Sequence, residues 1–216
     1  MENLKELRET LRTLWCKINK LMTRGIRNNN PLNIRHSADR WQGARIMQTD
    51  PDYVQYKDIK WGFRAAWKIL DTYCLTFKKE GKAYNVKNII GRWAPPTEND
   101  TDAYVRAVVK LSGLGGNENM PRPKHYWNFE EVDKLVRLIR AMVCVENGIK
   151  WEKVDTKDIW KGYDLAFPDA RKTKDRNPPS SNKPLDIPPA RLPDEITKIG
   201  PHWDEYWDWS PQAYGK

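Results

Sequence analysis

Glu146 is the residue around which chemistry could be built. It lies in "VCVENGI", Val143 to Ile149, at the foot of a stripe formed by Val132, Leu135, Val136, Ile139, Met142 and Val143. At about 100° per residue the carboxyl falls near the middle of that stripe, with Asp133, Arg137 and Arg140 on the far side. An acid so placed is pushed toward the core, or into a cleft that cuts into the core. Desolvation raises a carboxyl pKa, and the negative end of a helix dipole raises it further. A carboxylic acid that keeps its proton near neutral pH is what glycosidic-bond cleavage needs as its general acid. The same spacing also fits an acid at a fraying helix end, or one paired with an arginine of the asparagine-rich loop.

That loop is "TRGIRNNNPLNIRHSADR", Thr23 to Arg40. Asn28, Asn29, Asn30 and Asn33 each carry an amide donor and acceptor, suited to the hydroxyl and N-acetyl groups of a sugar. Equally, the amides could satisfy backbone groups in a convoluted turn. Glu98, in "RWAPPTENDTDAYV", is a second candidate carboxyl, as acid, base or stabiliser across a cleft. Its alternative role is to fasten the loop, with Asn99 and Asp100, to the start of the next helix, where negative charge is favoured. Tyr104 could orient a substrate or simply fill the core. The histidines His36, His125 and His202 are scattered, and no pair has metal-ligand spacing. There is no GxSxG, P-loop or dinucleotide fingerprint. No metal and no cofactor are expected.

The elements that must position these groups follow from periodicity. Leu4, Leu7, Leu11, Leu14, Ile18 and Leu21 mark an amphipathic helix over about 2–22. A second helix runs from Ile59 to about Lys78, and a short one from about Val86 to Trp93 ends at Pro95-Pro96. Another, capped by Asp100 or Thr101, ends near Ser112-Gly113. The Glu146 helix starts at Asn128 in capping-box style and stops at Asn147-Gly148. A last helix, "TKDIWKGYDLAF", ends before Pro168. "WQGARIMQTDPDYVQYKD" fits short strands or an irregular hairpin. After Arg171 the chain turns proline-rich and polar, then closes in the aromatic and acidic "PHWDEYWDWSPQAYG", read as a docking segment.

The chain has 216 residues, with 38 basic and 29 acidic side chains and a formal charge of +9. That charge fits a polyanionic partner: nucleic acid, an acidic membrane or a bacterial wall. Three widely spaced cysteines without a CxxC argue against both a disulfide framework and a zinc site. The N-terminus has no continuous apolar core, so no signal peptide and no membrane span are expected. Interleaved Trp and Arg in "KWGFRAAWK" is the one footprint of a nucleic-acid binder, although the segment reads better as an amphipathic helix.

"RGIRNNNPLNIR" (Arg24 to Arg35), "WQG", "GFRAAWKILDTY", "IIGRWAPPTENDTDAYV" and "VENG" together resemble a family of phage and prophage virion structural proteins with a lysozyme-like domain, over residues 24–167. The parts also look similar to wall-cleaving glucosaminidases and lytic transglycosylases. In those enzymes a helix ending in glutamate and Ser-Gly precedes an "NNLFGIK"-like loop. Here "NNPLNIR" comes first and Glu146-Asn147-Gly148 later. The resemblance implies either a permuted lysozyme-like arrangement with Glu146 as the acid, or the same fold without catalysis.

The expected molecule is therefore mainly α. It comprises an N-terminal helix over 1–22, a lysozyme-like helical domain over 23–170 with a short irregular β element, and an extended Pro/aromatic-rich tail over 171–216. It would be a virion protein that binds or cleaves peptidoglycan glycan strands, with Glu146 and Glu98 as candidate acids. Asn28, Asn29, Asn30, Asn33 and Tyr104 would hold the sugar. The N-terminal helix and the tail would contact other virion proteins. The alternatives are a non-catalytic virion scaffold and a nucleic-acid-associated protein.

Overall fold

The computed structural model describes residues 22–125 and 129–170, together with Glu6, Leu7, Arg8, Thr10 and Leu14. Its architecture is mainly helical. In order come α1 (Arg24–Arg27), α2 (Ile59–Lys79), α3 (Val86–Trp93), α4 (Thr101–Ser112), α5 (Phe129–Asn147), a 3-10 turn (Trp151–Lys153) and α6 (Thr156–Ala166). The helix starts follow local chemistry. The side chains of Asp58, Asn85, Asp100 and Asp155 each accept a backbone N–H of the first turn of α2, α3, α4 and α6. Each satisfies a donor that the helix itself leaves orphaned. The expected cap of α5, Asn128, lies outside the described residues, as do the tail and most of the N-terminal helix. Within that helix Leu7 and Leu14 are helical and exposed.

The core is built around two contacts. The helices α2 and α6 pack closely along their length. Gly162 makes this possible, since a Cβ there would sit 2.5 Å from Phe63 Cβ. Trp67 is fully buried between them, donates its indole N–H to the Ile159 carbonyl at 2.9 Å, and meets the Tyr163 ring edge-on. That placement removes it from any base-stacking surface of "KWGFRAAWK".

The second contact is α5, which packs against α1, α4, α6 and the 3-10 turn. The sequence predicts a narrow apolar stripe on α5, but Leu138, Ala141 and Cys144 are buried as well. Neighbours on several sides enclose the helix, so one face does not suffice to describe it. The far-side arginines serve these neighbours. Arg137 donates to the Ser112 carbonyl at the end of α4, and Arg140 to the Trp151 carbonyl.

The expected β element is sparse. Antiparallel bridges join Arg35 to Tyr53 and Ala44 to Tyr56, without forming a strand among the described residues. Side chains hold this region instead. Asp50 accepts from Arg24, from the Asn28 amide and from the backbone N–H groups of Asp52 and Tyr53. Burial alone would raise the Asp50 pKa, but these donors, Arg24 first, hold it well below the usual carboxylate range. Among the described residues, no helix is long and apolar enough to cross a membrane.

Candidate functional site

Glu146 is the penultimate residue of α5, and three elements converge on its carboxyl. The Asn33 amide, from the loop after α1, donates to Oε2 at 3.0 Å. The Trp93 indole N–H, from the last residue of α3, donates to Oε1 at 3.2 Å. The Tyr104 hydroxyl, from the first turns of α4, donates to the same Oε1 at 2.9 Å. The expected alternative of a loop arginine does not occur at Arg24, which is bound to Asp50 and Asp52.

The electrostatic balance has opposing parts. Burial of the carboxyl is the largest influence and raises its pKa. The donors Asn33, Tyr104 and Trp93 each favour the anion and offset part of that rise. The net direction is upward. The residue as a whole is half-buried, while its carboxyl is enclosed. Tyr104 is nearly fully buried, and burial together with the adjacent Glu146 charge raises its phenol pKa far above the ordinary value.

The next residue, Asn147, locks this arrangement. Its amide donates to the Pro31 and Val143 carbonyls at 2.8 and 3.0 Å, and its Oδ1 accepts from the Thr23 hydroxyl at 2.8 Å. One side chain thus ends α5, fixes the start of the asparagine loop and brings Asn33 to Glu146. The approach is tight enough to require glycine at position 25. A Cβ there would lie 2.6 Å from Asn147 Oδ1, 2.8 Å from Asn33 Oδ1 and 2.9 Å from the Asn30 carbonyl. The loop is bent by Asn29 and Asn33, both with positive φ, a conformation asparagine tolerates better than most residues.

The other candidate residues are placed differently. The Asn28 amide is buried between Asp50 and Gln55, and Asn30 is buried against the Ile34 and Val54 backbone. Both are therefore engaged in holding the loop. Asn29 donates to the Tyr56 carbonyl and lines a shallow polar groove of about 490 Å³ with Lys57, Lys60, Asp158 and Lys161. None of Glu146, Asn33, Trp93 and Tyr104 lines that groove. Glu98 is not among the groups bonded to Glu146. Its Oε2 is enclosed without a hydrogen-bond partner, while Asn99 donates to the Pro95 carbonyl and Asp100 caps α4.

Sequence reasoning missed Trp93, Asn147 as a clamp, and Gly25. Trp93 was findable: Val86, Ile89, Ile90 and Trp93 lie at helical spacing, and a half-buried indole must find an acceptor for its N–H. Gly25 carried no signal, because its neighbours are distant in sequence. Of the two cysteines among the described residues, Cys74 on α2 is half-buried and Cys144 on α5 is buried. No group of three or more His, Cys, Asp or Glu side chains gathers as a metal site among the described residues.

With fold and site in view, comparison with known proteins places the chain among phage proteins. It is 33% identical over 147 residues to Protein P5 of Pseudoalteromonas phage PM2, a match spanning 67% of this chain and 82% of that protein. The chain belongs to the family of Protein P5. No protein-family model matches it.

Proposed function

We propose that this is a virion-associated phage protein whose lysozyme-like domain cleaves the glycan strands of bacterial peptidoglycan, with Glu146 as general acid. The observation that carries the reading is the Glu146 carboxyl: buried, raised in pKa and bound by three uncharged donors. A structural acid is more cheaply held by an arginine, as Asp50 is by Arg24. Membership of a phage-protein family supplies the biological setting. The protein would recognise the bond between N-acetylmuramic acid and N-acetylglucosamine.

In this mechanism Glu146 gives its proton to the glycosidic oxygen as the bond from that oxygen to the anomeric carbon breaks. The sugar left behind carries the positive charge. With no second carboxyl bonded into the site, a hydroxyl of that same sugar attacks the anomeric carbon and returns its proton to the Glu146 carboxylate. The product is an internally bridged sugar end, and no water is consumed. Asn33 stands beside the acid and donates its amide N–H to Oε2.

The test is a zymogram on purified peptidoglycan with product analysis. The wild-type protein should clear the gel and release bridged ends, and Glu146→Gln should not. Clearing by the folded variant would remove Glu146 from the mechanism. A second reading, a virion scaffold without chemistry, is favoured by the internal use of Asn28 and Asn30 and by the exposed Leu7 and Leu14. It predicts an inactive wild-type protein that co-purifies with particles.

A further inference from the structure

We propose that Trp93 and Tyr104 are positioning residues that fix Oε1 of Glu146 and leave Oε2 as the oxygen carrying the transferable proton, an assignment that rests on the glycan-cleaving reading above. The argument is a count of lone pairs. A carboxylate oxygen has two in-plane acceptor sites. Oε1 has both occupied, by the Trp93 indole at 3.2 Å and the Tyr104 hydroxyl at 2.9 Å. Oε2 accepts one bond, from the Asn33 amide at 3.0 Å, and keeps one site open.

A proton placed on Oε1 would point at two donors. The indole can only donate, and the phenol could accept it only by giving up its own bond to the carboxyl. A proton on Oε2 displaces neither. The two oxygens therefore divide the work: Oε1 is held from α3 and α4, and Oε2 faces the asparagine loop. This also revises the role of Tyr104. At 6% exposed and with its hydroxyl donated to Glu146, it is assigned to the acid and not to the sugar. It sets the angle at which the acid meets the leaving oxygen. Burial, Asn33, Tyr104 and Trp93 are the influences acting on Glu146, and Tyr104 is the titratable one among these partners.

The experiment is Tyr104→Phe and Trp93→Phe in the full chain, read by NMR titration of the Glu146 carboxyl and by the pH profile of peptidoglycan cleavage. Loss of one donor to the anion should move the titration midpoint up by about one pH unit in each variant. The alkaline limb of the cleavage profile should move with it. On the acid plateau, where Glu146 is protonated in every variant, kcat should fall about tenfold with KM unchanged, because Oε1 is no longer held. Asn33→Ala, which also removes one donor to the anion, should raise the midpoint as well. A midpoint unmoved in both aromatic variants overturns the assignment, whatever the activity. A shifted midpoint in a protein that cleaves nothing supports the anchored Oε1 and sinks the glycan-cleaving reading instead. Should Tyr104→Phe fail to fold, Trp93→Phe decides alone.

Discussion

Two carboxyls in this protein have been pushed in opposite directions, and their stability signatures differ accordingly. Asp50 has a folded pKa below its unfolded one, so its contribution is present above the ordinary carboxylate range and is lost as pH falls through the lowered value. Glu146 is raised, so its own contribution is fully present below the ordinary carboxylate range and is lost as pH rises through the raised value. Glu146→Gln should therefore flatten the alkaline-side decline and leave the protein at least as stable as wild type near neutral pH, read as Tm against pH. Its amide oxygen can accept from Trp93 and Tyr104. Its amide nitrogen requires Asn33 to turn its Oδ1, which has no partner, toward position 146. A variant that melts far below wild type at neutral pH would contradict a protonated, desolvated carboxyl. Much of this was legible in advance. The position of Glu146 on the α5 stripe signalled burial, and burial is what raises its pKa. The identity of the donors was not legible, because Asn33, Trp93 and Tyr104 lie 113, 53 and 42 residues away.

At the scale of elements, the site depends on the clamp between α5 and the loop after α1. Gly25→Ala should force Asn147, Asn33 and the Asn30 backbone apart, costing about 1–3 kcal/mol in chemical denaturation. Asn147→Ala leaves the Thr23 hydroxyl and the Pro31 carbonyl without their partner. It should destabilise the fold by about 2–4 kcal/mol, and faster amide exchange at residues 28–33 would locate the damage. Exchange unchanged there would show that the loop stands without α5. The helices were readable from periodicity and caps, with α3 ending at Trp93 and α4 at Ser112 as the prolines and glycine dictate. The region between α1 and α2 was not. Its order comes from Asp50, Gln55 and the asparagine amides instead of a β ladder, and such side-chain networks leave no periodic trace.

For the whole molecule, the packing of α2 on α6 is the mechanical base on which the site stands. Trp67→Ala should cost about 3–5 kcal/mol and remove cooperative unfolding at moderate temperature, since it deletes a fully buried indole and its bond to Ile159. The charge of +9 fits attraction to an acidic wall as readily as to nucleic acid. With Trp67 sealed in the core, retention on DNA should be weak and should vanish at physiological salt. Family membership and a helical body set the frame, but the account turns on whether a proton leaves Glu146 for a glycan. Release of soluble fragments from purified peptidoglycan sacculi, wild type beside Glu146→Gln at matched folding, measures this directly. Fragments from the wild type and none from the variant are predicted; equal release from both, or none from the wild type, would contradict the account.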